Sequence, residues 1–253
     1  MRSRSRNASN RVKTLTLPVM SKRSSAGPTT FRAHRYPAIR AIVEADSDAT
    51  QTLSDRAGEQ ILQRILSGEL PAGTPLNSSE LAESLGVSRT PLAKALNQLT
   101  ADGILIQPRK QPAIVSTAAV DWLRQTREFR RLLEPDAAAR AAGCVDAEAL
   151  SDLTALAREA SPTNQHDWEP AAKFFDFALH LTIAEHCGIQ PMKVAIRKCF
   201  AYRRLAYAVA ATKEVGLTKD YQEHIAILDA IAAGRSEAAR RLMADHLERA
   251  LRL

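Results

Sequence analysis

The stretch "LAESLGVSRTPLAKALNQLTADGIL", residues 81–105, limits what this chain can fold into more than any other. It reads as a short helix, a tight turn, a second helix and a stop. Just upstream, Asn77 is followed three residues later by Glu80. At that spacing the Asn side chain accepts from the free N–H groups of a first helical turn and the Glu bonds back. Gly86 ends the first helix in a left-handed turn. Ser88 caps the second, and Pro91 is tolerated in its first turn, where a missing N–H costs no bond. Leu92, Ala95, Leu96 and Leu99 form the buried stripe, and Gly103 is the stop.

The flanks complete a small domain. "LSDRAGEQILQRILSGEL" places Leu53, Ala57, Ile61, Ile65 and Leu66 at helical spacing. Gly68 ends that helix, and "LPAGTPL" is a turn-rich connector. After Gly103, "ILIQ" and "AIVS" are short β-branched runs separated by "PRKQP". A helix-turn-helix followed by a hairpin is a winged helix; a three-helix domain with an unrelated hairpin fits the same pattern. From Val120 to Leu253 six segments read as helices, with no repeat of 20–50 residues, which predicts a bundle. The expected fold is mainly α: a winged helix-turn-helix domain at 49–117, then an all-α domain at 120–253.

Aromatics are 5% of residues against a hydrophobic fraction of 45%, which suits helices packed on helices. No apolar run reaches the ~18 residues of a membrane span. Cys144, Cys187 and Cys199 are scattered and odd in number, which suits a reducing cytoplasm and not a disulfide framework.

Charge is unevenly placed. Residues 1–43 hold ten Lys or Arg and no acid, while residues 51–117 hold six of each sign and 118–253 nineteen of each. With three acids in 44–50, the whole excess of +7 lies in the tail. Residues 1–48 are therefore expected to be disordered. Three readings stand open: a basic arm for phosphates, an organelle transit peptide, or an over-extended start with Met20 as the true first residue.

Asp176 and His180 are four apart on one helix, so they share a face. His224 and His246 follow on two later helices, 22 residues apart. One carboxylate and three imidazoles can hold a divalent metal. Taken bare, such a pair is more often a surface pair or a satisfied core pair. His34, His166 and His186 lack this support and read as structural or solvated.

These residues resemble a known family. "ILSGELPAGTPLNSSELAESLGVSRTPLAKALNQLTADGIL" resembles the DNA-binding domain of GntR-family bacterial transcription regulators. "EFRRLLEPDAAARAA", "DFALH" and "EHIAILDAIAAGRSEAARRLMADHLERA" resemble the helical effector (FCD) domain of its FadR-type branch. The resemblance runs from about residue 50 to 250 and leaves the tail outside. It implies a recognition helix in the major groove. The implied DNA contacts are Ser79, Ser88, Arg89, Thr90 and Lys94, with Arg109 and Lys110 on the wing. The chain departs from the family at Ser79 and Ala93, where arginines are usual, at Lys94, where Glu is usual, and at Pro112, where the wing usually has Gly.

The resemblance also implies that Asp176, His180, His224 and His246 ligate a metal, zinc first, with nickel or manganese as alternatives. A small organic acid would bind there through its carboxylate. Arg130, which matches an Arg of the family helix, and Arg203 or Arg204 would complete the anion pocket, the alternative for each being an ordinary surface ion pair. Ile189 stands where the family often has Asn. The expected function is a bacterial, cytoplasmic, nucleoid-associated regulator. It would be a homodimeric repressor reading a palindromic operator under effector control, and not an enzyme. The rivals are an effector-binding dimer with a degenerate reader and a metal-dependent hydrolase.

Overall fold

A computed structural model describes residues 33–45, 52–163, 168–209 and 214–251. In chain order the elements are α1 (Pro37–Glu44), α2 (Leu53–Leu66), β1 (Pro75–Leu76), α3 (Ser78–Leu85), α4 (Arg89–Ala101), β2 (Leu105–Ile106) and β3 (Ala113–Val115). They continue with α5 (Trp122–Ala141), α6 (Ala147–Glu159), α7 (Trp168–His186), α8 (Gln190–Val209), α9 (Glu214–Ala232) and α10 (Ser236–Leu251). The mainly helical fold, a winged helix followed by a helical bundle, is as the sequence predicts.

In the winged helix, α2, α3 and α4 enclose a core of Ile61, Leu62, Leu81, Leu92, Leu96 and Leu99. Thr52 and Asp55 make a complete capping box at the start of α2. Asn77 caps α3 by accepting from the N–H groups of Ser79 and Glu80, while Glu80 bonds the Asn77 side-chain amide and not the backbone. Ser88 holds the N-cap position of α4, but its side chain makes no capping bond. Leu53, expected on the apolar stripe, is exposed. The connector before α3 contributes a strand: β1 pairs antiparallel with β3, and β3 with β2, giving a three-stranded sheet in the order β1-β3-β2. At the wing tip Lys110 has φ +58°, a left-handed conformation that costs a residue with a Cβ about 1–2 kcal/mol.

The bundle is built around α7. Its residues Phe174 to Ala184 are all buried, because neighbouring helices cover every face. The turns after α5 and α9 meet at two glycines of positive φ, and a Cβ on Gly143 would lie 3.4 Å from the Gly234 Cα.

Part of the basic tail is not disordered. Residues 37–44 form α1, and Tyr36, Ile39 and Val43 are buried in the bundle core. The Asp152 carboxylate accepts from the first N–H groups of α1, Ala38 at 2.8 Å and Ile39 at 3.3 Å. Tyr36 donates to Glu159, and Arg197 of α8 donates to the Ile42 carbonyl at 2.9 Å. Three apolar side chains at helical spacing, plus a carboxylate waiting at the helix start, outweigh the local charge. The rest of the tail lies outside the described residues. Among the described residues, no helix is long and apolar enough to cross a membrane.

Candidate metal centre

Asp176 and His180 lie one turn apart on α7, His224 comes from the middle of α9, and His246 from α10. All four are buried, and their ligand atoms lie within 4.8 Å of one another. His180 Nε2 is 3.2 Å from His224 Nε2, which is 3.2 Å from His246 Nε2. Asp176 Oδ1 is 3.3 Å from His224 Nε2 and 3.6 Å from His180 Nε2. Ligands about 2.0–2.1 Å from a tetrahedral ion stand roughly 3.3–3.4 Å from each other. The observed separations bracket that value.

The outer ring nitrogens explain why Nε2 is offered inward. His180 Nδ1 is hydrogen-bonded to Glu134 of α5, and His246 Nδ1 lies 2.8 Å from Glu223 Oε2. A carboxylate acceptor places the proton on Nδ1 and leaves the lone pair on Nε2. Lone pairs of two rings then converge with the third ring and with Asp176 Oδ1, which receives no hydrogen bond among the described residues. The third ring can offer at most one N–H to these acceptors, and the buried acceptors left without a donor are unfavourable. A cation held by all four would resolve the arrangement, so the residues fit a metal.

Electrostatics favour the form a metal requires at His180, His224 and Asp176. Burial pushes His180 below the ordinary histidine value, against the pull of Glu134. Burial, reinforced by His246, pushes His224 well below it. Burial opposes ionisation of Asp176, but Arg203, then His224 and His180, hold its carboxyl low. Glu134 is likewise held at about 2 against burial, by Arg130 and His180. Metal ligation needs neutral imidazoles and ionised carboxylates, and His180, His224 and Asp176 are shifted in those directions.

The three arginines expected around an anion divide. Arg203 Nη1 lies 2.6 Å from Asp176 Oδ2, beside the cluster. Arg130 is buried and ion-paired with Glu134, with its Nη2 3.3 Å from His180 Nδ1 and its guanidinium 4.3 Å from the centre of the Phe200 ring. Arg204 turns the other way: its Nη2 lies 3.4 Å from Glu59 of α2, on the winged-helix side. Its expected place in the pocket is therefore corrected. Successive residues on a helix point about 100° apart, so Arg203 and Arg204 cannot both face one site closely.

On the winged helix, Ser79, Ser88, Arg89, Thr90 and Lys94 are exposed, as are Arg109 and Lys110 at the wing tip. Ser79 sits in the first turn of α3, and Ser88, Arg89 and Thr90 sit at the start of α4. This is the end of a recognition helix that meets base edges in helix-turn-helix proteins.

Residues 53–115 match the family model described as bacterial regulatory proteins, gntR family, and residues 125–249 match that of the FCD domain. This chain belongs to the GntR family. A helix-turn-helix transcriptional regulator of Mycobacterium tuberculosis is 35% identical over 104 residues, 41% of this chain and 43% of that protein. The match thus spans less than half of that relative. The regulator YieP of Escherichia coli K12 is 28% identical over 211 residues, 76% of this chain and 90% of YieP. Among solved structures, E. coli McbR/YncC has the same fold, with a TM-score of 0.58 at 20% identity over 80% of this chain and 97% of that one. Both sequence relatives are named as transcriptional regulators and neither as an enzyme.

Sequence reasoning missed the carboxylates behind the ligands of this GntR-family chain. Glu134 stands four residues after Arg130 on the matched helix, and Glu223 directly precedes His224. Either could have been noticed, but which ring each would orient is fixed only by how α5, α7, α9 and α10 pack. A second acidic group, Asp220 and Glu223 beside His246, is taken up by the guanidinium of Arg249, 2.6 Å from Glu223 Oε1.

Proposed function

We propose that this chain is a DNA-binding transcription regulator, acting as a homodimeric repressor, whose operator affinity is set by a small carboxylate bound at a metal in the FCD domain. The observation that carries the reading is the convergence of three Nε2 atoms and Asp176 Oδ1 at ligand spacing, with two rings oriented by carboxylates, the buried Glu134 and the partly exposed Glu223. Asp176, His180, His224 and His246 would hold the ion. Three imidazoles and one carboxylate favour zinc, with nickel and manganese as alternatives. When bound, the ion supplies a fixed positive charge to which a carboxylate can anchor. Arg203 stands beside that point and is the best-placed side chain to pair with the anion. Arg130 holds Glu134 and so orients His180.

Two winged helices related by a two-fold axis would read the two halves of a palindromic operator in the bacterial cytoplasm. The DNA-facing residues assigned are Ser79, Ser88, Arg89, Thr90 and Lys94, with Arg109 and Lys110 from the wing. With few cations on this face, the basic residues before Ala33 would add sequence-independent attraction to phosphates. A second reading, an effector-binding dimer with a weakened reader, is favoured by one feature: Ser79 and Ala93 stand where the family usually has arginine.

Calorimetric titration of chelator-treated protein with zinc tests the metal. One tight site per chain is expected, lost in Asp176→Ala and in His224→Ala. Unchanged binding in both variants would move the site elsewhere.

A further inference from the structure

Helix α8 packs on two opposite faces. Phe200 and Arg203 face the metal cluster: the Phe200 ring centre lies 5.3 Å from that of His180, and Arg203 pairs with Asp176. Lys198, Tyr202 and Leu205 are spaced by four and three residues and face the winged helix. At 3.6 residues per turn, these two sets fall on opposite sides of one cylinder. Leu205 is buried in the winged-helix core.

Lys198 and Tyr202 meet at a single residue. Both bond the carboxylate of Asp102, the residue that caps the C-terminal end of α4. That carboxylate is 5% exposed. A negative charge at a helix C-terminus is unfavourable to its own helix. Asp102 therefore does little for the dipole of α4; the Gln98 amide of α4 donates to it at 3.1 Å, and its other partners, Lys198 and Tyr202, lie on α8. The Tyr202 ring also stands edge-on to Trp122, at the start of α5, with centres 5.8 Å apart.

We propose that α8 transmits the state of the metal pocket to the DNA reader, and that the grip of Lys198 and Tyr202 on Asp102 is the coupling point. This rests on the metal reading above. A cation beside Asp176 shares the carboxylate that now holds Arg203, so it weakens that ion pair. Arg203 and Phe200 then take new positions, and α8 moves as a rigid rod. Because its other face grips the end of the recognition helix, the displacement reaches α4 directly. Coupling of this kind is typically about 5- to 150-fold in affinity.

The test measures binding of the full-length protein to duplex DNA from upstream of its own gene, in zinc and in chelator. Zinc binding is measured in parallel by calorimetry. In wild type, zinc is expected to change DNA affinity by roughly fivefold or more. In Asp102→Asn and Tyr202→Phe the response should fall below about twofold, while zinc still binds. Lys198→Ala, at a half-exposed side chain, serves if either of those variants folds poorly, and it should also lower the response. Hydrogen exchange in the last turn of α4 should change on zinc loading in wild type and not in Tyr202→Phe. A zinc response of wild-type size in these variants, or no response in a wild type that binds both zinc and DNA, would overturn the proposal. Absence of zinc binding in wild type would overturn the metal reading, and this inference with it.

Discussion

Two ligands of the proposed centre, His180 and His246, depend on a carboxylate partner. Glu134→Gln and Glu223→Gln remove the charge behind His180 and His246, and each is expected to weaken metal affinity by about 10- to 100-fold. Competition with a chromophoric chelator measures this. His186→Ala, whose ring bonds Asp146 and the Thr182 carbonyl, should leave metal affinity unchanged. The same buried rings make the metal-free protein sensitive to acid. His180 and His224 have folded pKa values below 6.5. Between 6.5 and those lower values the unfolded chain binds more protons than the folded one, so stability falls as pH falls. Thermal melts in chelator should show a lower midpoint at pH 5 than at pH 7. An equal or higher midpoint at pH 5 would contradict the assignment of neutral, buried rings.

At the scale of elements, α1 and the glycine turns carry the clearest expectations. Deleting residues 1–45 removes Tyr36, Ile39 and Val43 from the bundle core and should lower the urea midpoint markedly, whereas deletion ending at residue 32 should not. Gly143→Ala places a Cβ at φ +76°, 3.4 Å from Gly234, and should cost about 1–2 kcal/mol by urea unfolding. The winged helix was legible in the sequence because its signals are local: Asn77 before α3, Gly86 after it, Pro91 in the first turn of α4. Strand β1 was not, since two residues pair with β3 across about forty positions. Helix α1 was hidden because its core residues Ile39 and Val43, with Tyr36 just before it, follow a long stretch dominated by charge and small polar residues. In the site, Asp176 and His180 were legible as a helical pair, His224 and His246 as further candidate ligands, and the family resemblance tied the four together. The direction of Arg204 was not, because it depends on how α8 is rotated between two neighbours.

At the scale of the molecule, the chain leaves the bundle after α1, builds the winged helix and returns through α5, so the reader is tied to the effector domain at both ends. The proposed phosphate attraction by the basic residues before Ala33 belongs to this scale as well. Removing residues 2–32 should flatten the salt dependence of DNA binding, by about 0.9 in the log–log slope for each phosphate that the tail had neutralised. The most direct test of the account is fluorescence anisotropy of the zinc-loaded protein with duplex DNA from upstream of its own gene, challenged with scrambled competitor. Binding that survives the competitor, and is abolished in Arg89→Ala, is the predicted result. Binding equally displaced by any competitor would contradict it, and would leave an FCD pocket without a sequence reader.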